Sequence, residues 1–329
     1  MKRVVFAVLA GLLLLGAAGC GNKEQPSSSQ QQAQEVKLGI VQIVEHPALD
    51  AARKGFLDVL AENGYKDGEK LAVDYQNAQG QQDTLQTIAN KFAQEKKDLI
   101  LAVATDSAQA MAAKTTKIPI LITAVTDPVA AKLVKSMDKP GTNVTGTTDM
   151  NPIKEQLQLI KDVVPTVKKV GVIYNSSEVN SQVQVKACKD IAPGLGLEIV
   201  EAPVTASNEV MQGAQSLVGR CDAVYVPTDN MVVAAIASVV KVGESNKLPV
   251  FAGEENTVKG GAIGTYGIDY YKLGRQTGEM ALRVLKGEKP QDMAIESQKE
   301  LSLTLNPAAA GRMGVTLPDE LKAKSKLVE

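Results

Sequence analysis

The sequence has no tryptophan, one histidine and three cysteines, and aromatic residues make up only 3% of its 329 positions. A single imidazole excludes metal sites that need several, including two histidines one helical turn apart. It also forces any Ser-His-Asp or Cys-His arrangement through His46. No G-x-S-x-G elbow, P-loop or G-x-G-x-x-G string occurs. Ser136 and Lys139 match S-x-x-K, a short pattern common by chance, so no catalytic residue, cofactor or metal is expected. The 36 Lys and Arg nearly cancel 37 Asp and Glu, leaving a net charge of -1, whereas nucleic-acid binding normally needs a basic face. The missing tryptophan also counts against a sugar cleft, where aromatic platforms are common. What is present, 44% hydrophobic and 22% charged residues, is the composition of a globular chain long enough for two domains.

Outside the first twenty residues no run approaches 18 continuous apolar side chains. Lys2 and Arg3 precede an apolar and small-residue stretch over 4–18, the length of a signal-peptide core. It ends in Ala17-Ala18-Gly19-Cys20, which resembles a bacterial lipobox with Ala17 where leucine is usual. Residues 1–19 are therefore expected to be removed and Cys20 to be lipidated. Removal takes Lys2 and Arg3 with it and moves the net charge from -1 to -3. The following residues 20–35 hold one apolar side chain beyond the cysteine, Ala33, and read as a polar leash. The expected location is extracytoplasmic, lipid-anchored to the outer face of the membrane. Outside the cytoplasm the two remaining cysteines, Cys188 and Cys221, either pair as a disulfide or stay as buried thiols.

Short β-branched runs alternate with amphipathic stretches, the pattern of a parallel sheet covered by helices. Strands are expected at 37–43, 71–77, 98–104 and 118–124, with helices at 47–63, 83–97 and 107–114. The pattern then repeats. Lys169-Val170-Gly171 follows Lys37-Leu38-Gly39 at an offset of 132, Leu197 follows Leu71 at 126, Thr228-Asp229 follows Thr105-Asp106 at 123, and Lys247-Leu248-Pro249 follows Lys117-Ile118-Pro119 at 130. The fold class is α/β, with two similar Rossmann-like lobes. Ligands bind such sheets at the carboxyl ends of the strands, so the candidate loops are 44–50, 105–109, 126–128, 174–180, 228–230 and 253–256.

Binding chemistry suits these loops. Thr105, Ser107 and Thr126, beside Asp127, offer hydroxyls near helix N-termini, where partial positive charge favours a carboxylate. Thr228 and Asp229 occupy the equivalent place in the second lobe. Asp, Ser and Thr before a helix also serve simply as caps, so both roles stay open. Asp229 is the first choice for pairing with a ligand ammonium, with Glu45 and Asp269 behind it, and Tyr174 is a candidate for stacking on a ligand ring.

From residue 36 onward the chain resembles the periplasmic-binding-protein-like lipoproteins that serve ABC transporters, and within them the tryptophan and aromatic amino-acid binders of Gram-positive bacteria. The resemblance is carried by Val44-Glu45-His46-Pro47-Ala48-Leu49-Asp50, Thr126-Asp127-Pro128-Val129, Tyr174-Asn175, Val226-Pro227-Thr228-Asp229-Asn230 and Gly267-Ile268-Asp269-Tyr270. It implies a type I bilobal fold with three crossings, placed at 147–151, 267–270 and 305–307. The N-terminal lobe is then 36–148 plus 270–305, and the C-terminal lobe 149–269 plus 306–329. It also implies a monomer that captures a small ligand, an aromatic amino acid such as tryptophan, and passes it to a permease with its ATPase. A ligand sensor reporting to a membrane receptor, or a binder of a sugar or nucleoside, is the alternative.

Overall fold

The computed structural model describes residues 35–298 and 300–329. The expected leader, Cys20 and all of the expected leash except Glu35 lie outside the described residues. The β-branched runs of the first half become β1 (Val36–Gln42), β2 (Leu71–Asn77), β3 (Leu99–Val103), β4 (Ile120–Val125) and β5 (Val144–Thr148). Those of the second half become β6 (Lys169–Asn175), β7 (Glu198–Val204), β8 (Ala223–Val226) and β9 (Val250–Ala252). Four short strands follow: β10 (Gly264–Gly267), β11 (Glu296–Ser297), β12 (Ser302–Leu305) and β13 (Lys326–Leu327).

The first sheet runs β2-β1-β3-β4-β5-β11 and the second β7-β6-β8-β9, both parallel throughout. A small third sheet, β10-β12-β13, pairs β10 and β12 antiparallel. Parallel strands need cover on both faces, and β3 and β4 are buried along their whole length. Each sheet anchors its own core. Phe56, Phe92 and Ile100 are buried in the first, and Leu157, Tyr225 and Phe251 in the second.

Helix Pro47–Glu62, which follows β1, packs on helix Tyr270–Leu285. Glycine makes their approach possible. A Cβ on Gly55 would stand 2.1 Å from Tyr271 O, and one on Gly274 1.9 Å from Ala52 O. Both helices begin at the interlobe face, at His46 and Asp269, so this backbone contact sets where the two starts lie relative to each other.

Two features differ from expectation, and one open alternative is decided. The third crossing is not at 305–307. Strand β12 pairs with β10, and Leu305 is buried in the second core, while β11 belongs to the first sheet. The chain therefore crosses between β11 and β12, and 302–305 belong with the second lobe. The helix after β3 spans Thr105–Ala112, two residues earlier than expected, because Ala104 adopts φ 76° and turns the chain straight into it. Cys188 and Cys221 do not pair, and both are free and buried. The chain passes from β6 outward to β7 and then back past β6 to β8. Right-handed crossovers place helices Val179–Ile191 and Val210–Ser216 on opposite faces of that sheet. Cys188 lies on the former, whereas Cys221 follows the latter, its thiol donating to Leu217 O at 3.4 Å. Burial pushes the Cys188 thiol up to about 12 and Cys221 up to about 11, so neither is a reactive thiolate.

Candidate ligand-binding cleft

The carboxyl ends of β1, β4 and β5 face those of β6, β8 and β9 across a cavity. His46, Ala124, Asp149 and Tyr270 line it from one side, and Asn180, Thr228, Asp229, Asn230 and Glu254 from the other. Its free volume is about 10 Å³, room for about one water. A larger solute needs the lobes apart to enter.

The walls, and the first turn of helix Thr105–Ala112, hold polar atoms that the protein does not satisfy. Both nitrogens of His46, Thr105 Oγ1, Ser107 Oγ, Asp149 Oδ1 and Asn180 Oδ1 are buried without a hydrogen-bond partner. Native interiors rarely tolerate such atoms, each costing roughly 1–3 kcal/mol. Thr105 and Ser107 share the first turn of helix Thr105–Ala112. Ala104 and Ala124, at the ends of β3 and β4, take φ 76° and 56°, and strain of this kind concentrates at functional sites.

Titration follows burial. His46 is pulled down to about 4 because burial disfavours its charged form, outweighing the Asp50 carboxylate and an Asn230 amide that falls short of a full hydrogen bond. Its ring is neutral at pH 7. Asp149 is pushed up by complete burial, with the Tyr270 and Thr126 hydroxyls pulling the other way. Tyr270 donates to Asp149 Oδ2 at 2.5 Å.

The second-lobe wall is a hydrogen-bonded network, satisfied except at Asn180 Oδ1. Glu178 accepts from the Asn175, Asn180 and Asn230 side-chain amides and from the Asn230 and Met231 backbone N–H groups. Asp229 accepts from Val232 N at 2.8 Å, Asn175 N at 2.5 Å and Ser181 Oγ at 2.6 Å. Burial first, then the neighbouring Glu178 charge, push Asp229 up to about 7. Gln184 and Asn151 hold the Thr228 hydroxyl, and Glu254 caps its helix through Asn256 N, Thr257 N and the Thr257 hydroxyl.

Of the residues singled out from sequence, His46, Thr228 and Asp229 line this cavity. Thr105, Ser107 and Thr126 are buried hydroxyl residues that do not line it, and Asn175 borders a neighbouring cavity. The others stand elsewhere. Glu45 is exposed, Asp127 caps the turn to Val129 and Ala130, and Asp269 caps helix Tyr270–Leu285. Tyr174 lines neither cavity; its hydroxyl donates to Glu201, which Lys189 also binds. Sequence reasoning missed Asp149, which it treated as part of a crossing, and the acceptor role of Glu178.

Two parallel-sheet lobes that close their strand ends over a shared cavity form the type I periplasmic-binding-protein fold, that of a solute-binding protein. Residues 37–328 match the family described as ABC transporter substrate binding protein, and the chain belongs to that family. Such proteins work outside the cytoplasm, with a permease and its ATPase as partners, and they are binding proteins by class. No helix among the described residues is long and apolar enough to cross a membrane.

The chain is 45% identical over 311 residues to a tyrosine-binding protein of Clostridioides difficile, covering 93% of this chain and 90% of that one. A domain from Streptococcus pneumoniae in complex with L-Trp is 36% identical, with 90% and 100% of the two chains covered and a TM-score of 0.87. The ligand-free, open structure of a substrate-binding protein with adhesive properties from Clostridium difficile is 49% identical, with 89% and 99% covered, yet scores only 0.69. Shape similarity thus reverses the order of identity, as a difference in lobe angle does.

Proposed function

We propose that the protein is a lipid-anchored lipoprotein on the outer face of a Gram-positive membrane that captures a free aromatic amino acid between its lobes for delivery to the permease. The observation that carries this reading is Asp149, whose carboxyl Oδ1 is buried and unpartnered. An α-ammonium supplies the missing donors. The orphaned hydroxyls of Thr105 and Ser107, at a helix start, suit the α-carboxylate. The ammonium partner is Asp149 rather than Asp229, whose oxygens already accept three hydrogen bonds within the protein. The tyrosine-binding relative and the L-Trp complex support an aromatic ligand.

Calorimetry of the twenty amino acids against the wild type and Asp149→Asn tests the assignment. A charge-assisted hydrogen bond contributes about 1.5–3 kcal/mol, so the variant should bind at least ten-fold more weakly, at 1.4 kcal/mol per decade. Tight binding of a sugar or nucleoside instead, or unchanged affinity in Asp149→Asn, overturns it. Mass spectrometry of membrane-extracted protein should separately find diacylglycerol on Cys20.

A further inference from the structure

Beside the cleft, and sharing Asn230 with it, lies a second interlobe cavity of about 420 Å³. We propose that this cavity is the side-chain subsite, and that Asp106 selects there for an aromatic side chain carrying a hydrogen-bond donor, a phenol hydroxyl or an indole N–H. The inference rests on the amino-acid reading above and deepens it.

Volume is the first argument. The space around Asp149 holds about 10 Å³, too little for a ring, whereas the neighbouring cavity is of the size that ligand sites occupy. Its walls come from both lobes: Ile43 and Val44 from one, Ala206 and Met231 from the other. These are surfaces on which a ring face can lie.

Charge is the second. Among the described residues the charged ones on the cavity wall are Asp106 from the first lobe and Glu178 from the second, both acidic. Glu178 already accepts five hydrogen bonds. Asp106 receives a side-chain hydrogen bond from Gln82 Nε2 at 2.6 Å, on Oδ2, which leaves Oδ1 as the acceptor for a ligand. Burial, then the facing Glu178, push its carboxyl up to about 6, so it is still mainly ionised at pH 7.5. An anionic side chain meets two like charges and is rejected.

Continuity is the third. Asp106 lies between Thr105 and Ser107 in the chain, so the carboxylate donors and the side-chain acceptor share one helical turn. A site built to bond a donor discriminates strongly against an analogue that lacks it, because its own polar group is left unpaired.

The test is calorimetry of tyrosine and phenylalanine against the full mature chain, Asp106→Ala and Asp106→Asn, with folding checked by circular dichroism. The wild type should prefer tyrosine at least ten-fold. Asp106→Ala should bring the two within about three-fold, mainly by weakening tyrosine. Asp106→Asn, which keeps the shape and loses the charge, should cut the preference at least three-fold and serves if the alanine variant does not fold. Equal wild-type affinities, or a preference that survives both variants, overturn the proposal. If amino acids bind and Asp149→Asn weakens them while neither Asp106 variant changes the ratio, the subsite alone falls. If no amino acid binds the wild type, both readings fall.

Discussion

At the start of the helix after β6, Glu178 accepts five hydrogen bonds; at the equivalent start after β1, 132 residues earlier, His46 accepts and donates none. The same contrast holds for Thr228 and Thr105, 123 residues apart. The first hydroxyl is tied to Gln184, while the second is buried and alone. The repeated backbone therefore carries two different surfaces. Among the described residues, the second lobe leaves only Asn180 Oδ1 unpartnered on its wall, whereas the first leaves His46, Thr105, Ser107 and Asp149 with buried polar atoms that lack partners. A ligand that supplies those partners stabilises the closed form through contacts the open form lacks, which is the requirement for ligand-driven closure.

The contrast can be broken most forcefully at Glu178. Glu178→Ala removes the acceptor of five hydrogen bonds, and only the Asn180 amide keeps other partners, so unfolding in urea should show a loss of about 3 kcal/mol or more. A loss below 1 kcal/mol would mean that the second-lobe network is not structural.

On the other wall the expected effect is smaller and of a different kind. Thr105→Val and Ser107→Ala should each weaken amino-acid binding roughly five-fold, about 1 kcal/mol. The ligand-free stability should stay level or rise, because each change removes an unsatisfied buried hydroxyl. Stability that falls with affinity unchanged would erase the distinction between the lobes.

Acid and base should also separate them. His46 folds with its pKa lowered from 6.5 to about 4, so its contribution is present above pH 6.5 and lost as pH falls toward 4. Asp229 folds with its pKa raised to about 7. Its contribution is present below pH 4 and lost as pH rises through 7. Urea midpoints against pH should show His46→Gln flattening the acid limb and Asp229→Asn the limb toward neutrality. Identical profiles would refute the opposed signs.

The smallest effect belongs to Tyr174→Phe. Its hydroxyl meets Glu201 away from both cavities, so affinity should stay within two-fold while stability drops by at most about 1 kcal/mol. A ten-fold loss of affinity would return Tyr174 to the ligand wall.

Much of the architecture was legible because it is periodic. The offset copies of Lys37-Leu38-Gly39 and Thr105-Asp106 mark equivalent strands and their exits. The crossing between β11 and β12 was not, because it shows only in strand pairing: β11 joins the first sheet through β5, while β12 pairs with β10. Asp229 was visible as a cap before a helix, but its saturation by Asn175 and Ser181 depends on residues about fifty positions away. Asp149 gains its meaning from Tyr270, 121 residues later. The close approach at Gly55 and Gly274 is likewise a property of two helices together. Local signals locate strand ends, while long-range partners decide which side chains there remain available.

Strand β1 begins beside exposed Glu35 and delivers His46 to the cleft at its other end. Its seven residues, separated by steps of about 3.3 Å, span about 20 Å. The start of β1 thus lies on the side of the first lobe away from the cleft. A surface linkage or fluorescent reporter fused at that end would leave the mouth clear, so the protein can be immobilised there and still read the solute in the surrounding fluid.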